Sequence, residues 1–346
     1  MSFDLNKIVR PSIKCLQPYS SARDEFIGKA NVYLDANENP FGNGLNRYPD
    51  PYQQVLKSKI SKIKNIKKES IILGNGSDEV IDLLFRAFCE PNKDEVIILP
   101  PTYGMYQVCA DINNVKTKKV SLTPDFEIDE TSLLETINKN TKIIWFCSPN
   151  NPTGNTMDPV VIKNVLNSFK GIVVIDEAYI DFSDSQSWID FIELHPNLFI
   201  LQTLSKAWGL AGIRLGMGFA SKEIISILNK IKPPYNVNSL TQEKAIEAIG
   251  YLDEKNETID AILAEKAKLS EKLNQIDEVQ KIYQSDANFI LVKINKAKDI
   301  YNKLVEHSII VRNRSSVTLC EDCLRITVGN TAENEKLLNA IKKITA

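Results

Sequence analysis

The chain has 346 residues, of which 43% are hydrophobic, and its formal net charge is −2. This length allows one large or two ordinary domains with ample material for a core. Nucleic-acid and membrane surfaces usually require an excess of basic residues, so the balanced charge argues against both and favours a small-molecule partner.

The first residues contain no apolar core of signal-peptide length, and no run in the chain is long enough to span a bilayer. The six cysteines are scattered without a repeating framework, which is typical of a reducing compartment, so we expect a cytoplasmic protein. Cys320 and Cys323 form a C-x-x-C, but the chain has only two histidines and neither lies in a spaced ligand motif. We therefore expect no metal site and interpret both thiols as structural or incidental.

Short apolar runs alternate with helical patterns from about residue 70 to 220. The runs are "SIILGNG", "DEVIILPP", "TKIIWFCSPN", "GIVVIDEAY" and "NLFILQTLSK". In the intervening "SDEVIDLLFRAFCE", one helical face carries Val80, Leu83, Leu84, Ala87 and Phe88. This order predicts an α/β layer with a mostly parallel sheet that is buried on both faces. Because such sheets bind ligands at the carboxyl ends of their strands, the functional residues are expected there.

The pattern changes beyond "GIRLGMGFAS" to a Pro233–Pro234 break, a long charged helix pattern from Gln242 to Ile276 and three strand-like runs, "NFILVKI", "SIIVRNR" and "CLRITVG". This predicts a second, smaller α+β domain that the N-terminal segment joins. We expect an N-terminal arm over 1–40, a large domain over 41–230 and a small domain over 231–346.

The first strand end, "ILGNGSDEV", starts a helix with Gly76, Ser77 and Asp78. Free backbone N–H groups at a helix N-terminus favour an anion such as phosphate. The glycine spacing fits neither the dinucleotide-binding nor the P-loop fingerprint. A plain turn with Ser77 as the N-cap is an equally good interpretation.

The next strand ends offer Tyr103 in "LPPTYGMY", Asn151 in "CSPNNPTGN" and Asp176 in "IVVIDEAYIDF". Packing alone explains an aromatic residue, and turn formation alone explains an asparagine. Asp176 is more informative, because a carboxylate at the end of an apolar strand must be paired or hydrogen-bonded.

The last strand end, "LQTLSKAWGLAGIRLG", places Lys206 next to Ser205 and eight residues before Arg214. An amine in a partly desolvated pocket has a lowered pKa and can condense with a carbonyl group. A merely structural buried amine is the alternative. Together the strand ends offer a phosphate cradle, an aromatic face, an amide, a carboxylate and a nucleophilic amine, and pyridoxal phosphate would use all of them.

Several stretches in order carry a resemblance over nearly the whole chain: "QPYSSAR", "LDANENPFG", "RYPDPYQ", "GSDEVIDLLFRAFCEP", "PPTYGMY", "SPNNPTG", "DEAYIDF", "TLSKAWGLAGIRLG", "VRNR" and "LRITVG". The sequence resembles the fold-type I pyridoxal-phosphate aminotransferases and, within them, the histidinol-phosphate branch. The resemblance implies a large domain with a mostly parallel central sheet and a smaller α+β domain.

The resemblance also implies roles for individual residues. Lys206 would bond covalently to the cofactor, with Asp176 on its ring nitrogen, Asn151 and Tyr179 on its ring oxygen and Tyr103 stacked on its ring. The expected phosphate ligands are Gly76, Ser77, Ser205 and Arg214, with Tyr48 supplied to the neighbouring subunit of a homodimer with shared active sites. Lys206, Asp176 and Tyr179 are the expected catalytic residues.

Substrate binding is implied for Arg325, Arg312 and Tyr19, because a guanidinium group binds carboxylate and phosphate alike. The implied partners are histidinol phosphate and the pair 2-oxoglutarate and glutamate, in a reaction of histidine biosynthesis. An aromatic or broad-specificity aminotransferase and a threonine-phosphate decarboxylase are alternatives on the same scaffold. A non-catalytic module that binds the cofactor is a more distant one.

Overall fold

The computed structural model describes residues 3–20 and 30–345. Its α-helices, in chain order, are α1 Leu5–Ile8, α2 Pro11–Lys14, α3 Gln54–Lys64, α4 Gly76–Phe88, α5 Met105–Ile112, α6 Glu130–Thr136, α7 Pro159–Ser168, α8 Lys222–Ile231, α9 Ser239–Ala248, α10 Leu252–Leu273, α11 Ala297–Glu306 and α12 Thr331–Thr345. Short 3-10 helices cover Lys68–Ser70, Ile180–Phe182, Trp188–Phe191 and Ala211–Ile213.

Within the described residues, seven strands form one sheet, called the large sheet: β1 Ile71–Asn75, β2 Glu95–Ile98, β3 Lys116–Lys119, β4 Thr141–Cys147, β5 Ile172–Asp176, β6 Leu198–Thr203 and β7 Leu215–Ala220. Their order is β1-β7-β6-β5-β4-β2-β3. Only β7 runs antiparallel to its neighbours, so the expected mostly parallel sheet is confirmed.

The large sheet is buried on both faces, as the continuous apolar runs predict. In β5, Val173 and Ile175 point into one hydrophobic cluster, while Ile172 and Val174 point into another. Helix α4 packs the five predicted apolar residues against the second cluster. The helices on both faces leave the carboxyl ends of β4, β5 and β6 as the place where polar residues can gather.

Four further strands of the described chain form the small sheet, in the order β10-β11-β9-β8: β8 Val279–Ile282, β9 Phe289–Ile294, β10 Arg312–Asn313 and β11 Cys323–Thr327. Helices α10, α11 and α12 pack on it around a separate cluster of apolar residues. The predicted long charged helix is wrong in one respect, because a turn at Gly250 divides it into α9 and α10.

The sequence predicts that the N-terminal segment joins the smaller unit, whereas Val9 and Arg10 contact the larger one. Val9 lies in a hydrophobic cluster of the large sheet, and the Arg10 N–H donates to the Ala87 carbonyl at 3.0 Å. The domain boundaries themselves stay a prediction. No described helix is both long and apolar enough to cross a membrane.

Candidate active site

A cavity of about 700 Å³ lies at the carboxyl ends of β4, β5 and β6, between the start of α4 and the small sheet. Most of the predicted site residues line it: Gly76, Ser77, Tyr103, Asn151, Asp176, Tyr179, Ser205, Lys206, Arg214, Arg312 and Arg325. The fold therefore brings residues from both sheets to one place.

Tyr19 and Tyr48 are the predicted site residues that do not line this cavity in the single chain. Tyr19 is 70% exposed and Tyr48 is 50% exposed. The Tyr48 ring stacks on Tyr235 with 4.5 Å between the ring centroids. Tyr48 also lines a separate cavity of about 430 Å³ with Leu45 and Leu240. The roles implied for both tyrosines stay predictions.

The N-terminus of α4 forms one end of the cavity. Gly76 has φ +70°, and a Cβ there would lie 2.6 Å from Arg214 Nη2, so the backbone and the guanidinium group are in close approach. The N-cap residue is Asn75, whose N–H donates to Glu79 Oε2 at 2.5 Å. The alternative of a plain turn capped by Ser77 is thus wrong, since Ser77 lies inside the helix and faces the cavity.

At this end of the cavity, Arg214 contacts Ser205 and Asp78. Its Nη1 donates to Ser205 Oγ at 3.5 Å, and its Nη2 lies 3.7 Å from Asp78 Oδ2. The Tyr103 hydroxyl donates to Asp78 Oδ1 at 2.9 Å. Asp78 was seen in the sequence only as part of a helix start, although "GSDEV" places it one residue after Ser77.

Asp176 is the last residue of β5 and is only 2% exposed. It accepts hydrogen bonds from the Tyr106 hydroxyl at 2.7 Å and from the Ala178 N–H at 3.1 Å, as a buried carboxylate requires. Burial raises the pKa of Asp176 to about 6, while these two hydrogen bonds oppose the rise. The sequence did not single out Tyr106.

Lys206 follows β6 and is open to the cavity. Its Nζ lies 5.6 Å from the centroid of the Tyr179 ring. The residue is exposed to the cavity, but the cavity walls partly desolvate its amine. This desolvation and the positive charge of Arg325 lower the pKa of Lys206, whereas the charge of Asp176 raises it. The amine therefore loses its proton more readily than an ordinary lysine does.

The small sheet contributes a cluster of arginines. Arg312 in β10 and Arg325 in β11 are cross-strand partners, an unfavourable position for like charges. Arg325 donates from Nη1 to Asn151 Oδ1 at 2.5 Å, and its guanidinium carbon lies 5.3 Å from the Phe289 ring centroid.

Arg314 lines the same cavity, and sequence reasoning missed it even though it stands in "VRNR". The Nε atoms of Arg314 and Arg325 are buried without a hydrogen-bond partner among the described residues. Burial, with the charges of Arg325 and Arg312, lowers the pKa of Arg314 to about 10. Three guanidinium groups so placed suit an anion with more than one negative charge.

Cys320 and Cys323 are buried free thiols that belong to a hydrophobic cluster. Burial raises the pKa of Cys320 to about 12 and that of Cys323 to about 11, so both are poor nucleophiles. Among the described residues, no group of His, Cys, Asp or Glu is arranged to hold a metal ion.

An amine with a lowered pKa, a buried carboxylate and an arginine cluster in one cleft define an enzyme that acts on a small anionic molecule. The chain belongs to the aminotransferase class I and II family, whose model matches residues 29–341. The expected fold and family are thereby confirmed.

Individual relatives within this family are similar to the chain over most of its length. The histidinol-phosphate aminotransferase of Christiangramia forsetii is 55% identical, over 99% of this chain and 98% of the relative. The crystal structure of the histidinol-phosphate aminotransferase from Clostridium acetobutylicum has a TM-score of 0.81 at 26% identity, covering 90% of this chain and 98% of that one. The enzyme of the same name from Sinorhizobium meliloti, in complex with pyridoxal-5'-phosphate, is similar in fold, with a TM-score of 0.81 at 21% identity over 90% of this chain and 89% of that one.

Proposed function

We propose that the chain is a pyridoxal-phosphate-dependent aminotransferase that converts L-histidinol phosphate and 2-oxoglutarate into imidazole acetol phosphate and L-glutamate, and the reverse. The observation that carries the proposal is the cavity that holds Lys206 and Asp176 on neighbouring strand ends and three arginines on the facing small sheet. The name of the 55% identical relative supports the substrate.

The residues present fit the cofactor. The N-terminus of α4, Gly76 with its positive φ, Ser77, Ser205 and Arg214 form a cradle for a phosphate group. Asp176 suits a protonated ring nitrogen, Tyr103 suits the ring face, and Asn151 and Tyr179 suit the ring oxygen. When bound, pyridoxal phosphate withdraws electrons from the reacting carbon of the substrate.

Lys206 is the proposed covalent anchor of the cofactor and the proton-transferring group. Because its pKa is lowered, Lys206 Nζ can take a proton from the reacting carbon as a general base and return it as a general acid. The buried carboxylate of Asp176 would hold a proton on the ring nitrogen, and the Tyr179 ring lies 5.6 Å from the Lys206 amine.

The arginines are the proposed substrate-binding groups. Arg325, which is held by Asn151, would bind the acidic group next to the reacting carbon, while Arg312 and Tyr19 would bind the substrate phosphate. The amino acceptor 2-oxoglutarate carries two carboxylates, so the same guanidinium groups suit both substrates.

A homodimer with shared active sites is the proposed assembly. Between residues 32 and 48 the chain exposes several large apolar side chains: Val32, Leu34, Phe41, Leu45 and Tyr48. An exposed apolar patch of this kind is typical of a protein–protein interface. In such a dimer Tyr48 would reach the phosphate of the cofactor bound by the other subunit.

A transamination assay with 2-oxoglutarate and a panel of amino donors tests the proposal. We expect turnover of histidinol phosphate to exceed that of phenylalanine and tyrosine, and Lys206→Ala to abolish it. A preference for the aromatic amino acids would favour the broad-specificity alternative. Release of carbon dioxide from threonine phosphate without amino transfer would make the chain a decarboxylase.

The distant alternative of a non-catalytic module has its own test. Binding of the cofactor without turnover of any donor, together with unchanged binding in Lys206→Ala, would support that alternative over an enzyme.

A further inference from the structure

A buried tyrosine that does not line the cavity is hydrogen-bonded to Asp176, which does. Tyr106, in α5, is fully buried and does not line the cavity, and its hydroxyl donates to Asp176 Oδ2 at 2.7 Å. The Tyr106 hydroxyl therefore acts on the site through its hydrogen bond to Asp176.

An aromatic stack fixes the position of this hydroxyl. The Tyr106 ring stacks on Trp145 with 4.8 Å between centroids, and Trp145 stacks on Phe85 with 5.3 Å. All three side chains are fully buried, so close packing restricts their rotamers. Tyr106 also forms a T-shaped pair with Tyr103, which lines the cavity, with 5.6 Å between the centroids.

The charge state of Asp176 depends on few groups. The titratable side chains that act on it from the surrounding elements are Asp78, Tyr103, Tyr106, Cys147, Tyr179 and Lys206. Burial favours the protonated form, and Asp78 acts in the same direction. The Tyr106 hydroxyl bond is the largest influence that favours the carboxylate, followed by the Ala178 N–H and then by Lys206.

We propose that Tyr106 is a positioning residue, which orients Asp176 and keeps it as a carboxylate for the ring nitrogen of the cofactor. The inference rests on the proposed function, because it assigns Asp176 to that nitrogen. Without the hydroxyl, Asp176 would be protonated over a wider range of pH and could no longer stabilise a protonated ring. The loss would be largest at acidic pH and would vanish at alkaline pH, where Asp176 is ionised with or without the Tyr106 hydroxyl.

The test compares Tyr106→Phe with the wild type in the affinity for pyridoxal phosphate, measured by absorbance titration from pH 5 to 9 on the full-length protein. We expect the acid limb of the affinity profile to move up by about one pH unit, with a roughly tenfold larger dissociation constant on that limb. The two proteins should bind equally at pH 9.

Two further variants separate the hydrogen bond from packing. Trp145→Phe disturbs the same aromatic stack but keeps the Tyr106 hydroxyl, so it should lower thermal stability and move the acid limb much less than Tyr106→Phe does. In Asp176→Asn, which cannot ionise, adding Tyr106→Phe should cause no pH-dependent change.

The inference is overturned if Tyr106→Phe leaves the acid limb in place, or if Trp145→Phe moves it as far. A wild-type protein that binds no pyridoxal phosphate at any pH would instead refute the proposed function, and this inference with it.

Discussion

Arg314 lies at the substrate end of the cavity, although the sequence suggested no role for it. Its buried Nε has no described partner, and it lies in the same cavity wall as Arg312 and Arg325. We expect Arg314→Gln to raise the KM for histidinol phosphate roughly ten- to a hundredfold, since a charge-assisted hydrogen bond is lost. The KM for histidinol, which lacks the phosphate, should change little.

Steady-state kinetics with this pair of donors checks the prediction. Arg86→Gln is the matched control, because Arg86 is a surface arginine that pairs with Asp82 at 3.8 Å and does not line the cavity. Equal changes in KM for the two donors would show that Arg314 contributes to structure rather than to recognition of the phosphate.

The sequence pointed to a functional residue where a charged side chain stood among apolar or small neighbours, because burying an unpaired charge costs free energy. Asp176 stands at the end of an apolar strand and Lys206 stands in a run of small residues, so each required an explanation. Arg314, Tyr106 and Asp78 did not, because an arginine in "VRNR", a second tyrosine in "PPTYGMY" and an acidic residue at a helix start are all ordinary. Their partners come from distant parts of the chain, which spacing along the sequence cannot reveal.

At the scale of elements, the junction between β1 and α4 carries a prediction. Gly76→Ala would strain a backbone at φ +70° and place a Cβ 2.6 Å from Arg214 Nη2. We expect it to weaken the binding of pyridoxal phosphate at least about tenfold, because the cradle must open to admit the methyl group. A fluorescence titration measures the dissociation constant.

Gly104→Ala is the control for this change. Gly104 also lines the cavity, but its φ is −66° and a Cβ there would meet nothing within 4 Å. Its affinity for the cofactor should match the wild type. If both variants bind equally well, the α4 N-terminus is not the phosphate cradle.

The elements that could be predicted were those with a strong apolar pattern. β1, β2, β4, β5 and β6 each contain a buried run of Ile, Val or Leu, and each was expected. β3 was missed because its sequence, "KTKK", has no apolar residue; it is an edge strand, where lysine discourages further pairing. The break between α9 and α10 was missed because the charged periodicity continues across Gly250.

The stability of the whole molecule should reflect the burial of Asp176. Its folded pKa of about 6 lies above the ordinary value of 3.8, so the folded state holds this proton more tightly than the unfolded state. Keeping Asp176 ionised in the folded state therefore lowers the free energy of unfolding. This destabilisation is absent below about pH 4, grows as pH rises to about 6 and is constant above that. It amounts to about 3 kcal/mol at pH 7.

Asp176→Asn should therefore make the cofactor-free protein more stable than the wild type at pH 7, and the gain should disappear below about pH 4. The buried neighbour Glu177 also has a raised pKa, but it is present in both proteins and its effect cancels. Chemical unfolding at several pH values measures the difference. A variant that is less stable at every pH would show that the hydrogen bonds of Asp176 outweigh its burial.

The assembly of the molecule leads to the last prediction, which concerns Tyr48. In one chain Tyr48 lies outside the cavity, half exposed and stacked on Tyr235. If it completes the site of a partner subunit, Lys206→Ala in one subunit and Tyr48→Ala in the other damage the same site. A mixed dimer of the two variants then retains one intact site and should show about half the wild-type activity.

Co-expression with two different tags, followed by tandem purification, isolates this mixed dimer for the transamination assay. Tyr235→Ala in place of Tyr48→Ala controls for loss of the ring stack, because it leaves the Tyr48 hydroxyl present. If Tyr48 served only its own subunit, the mixed dimer would contain one site without Lys206 and one without Tyr48. Its activity would then not exceed that of Tyr48→Ala alone, and the shared active site would be refuted.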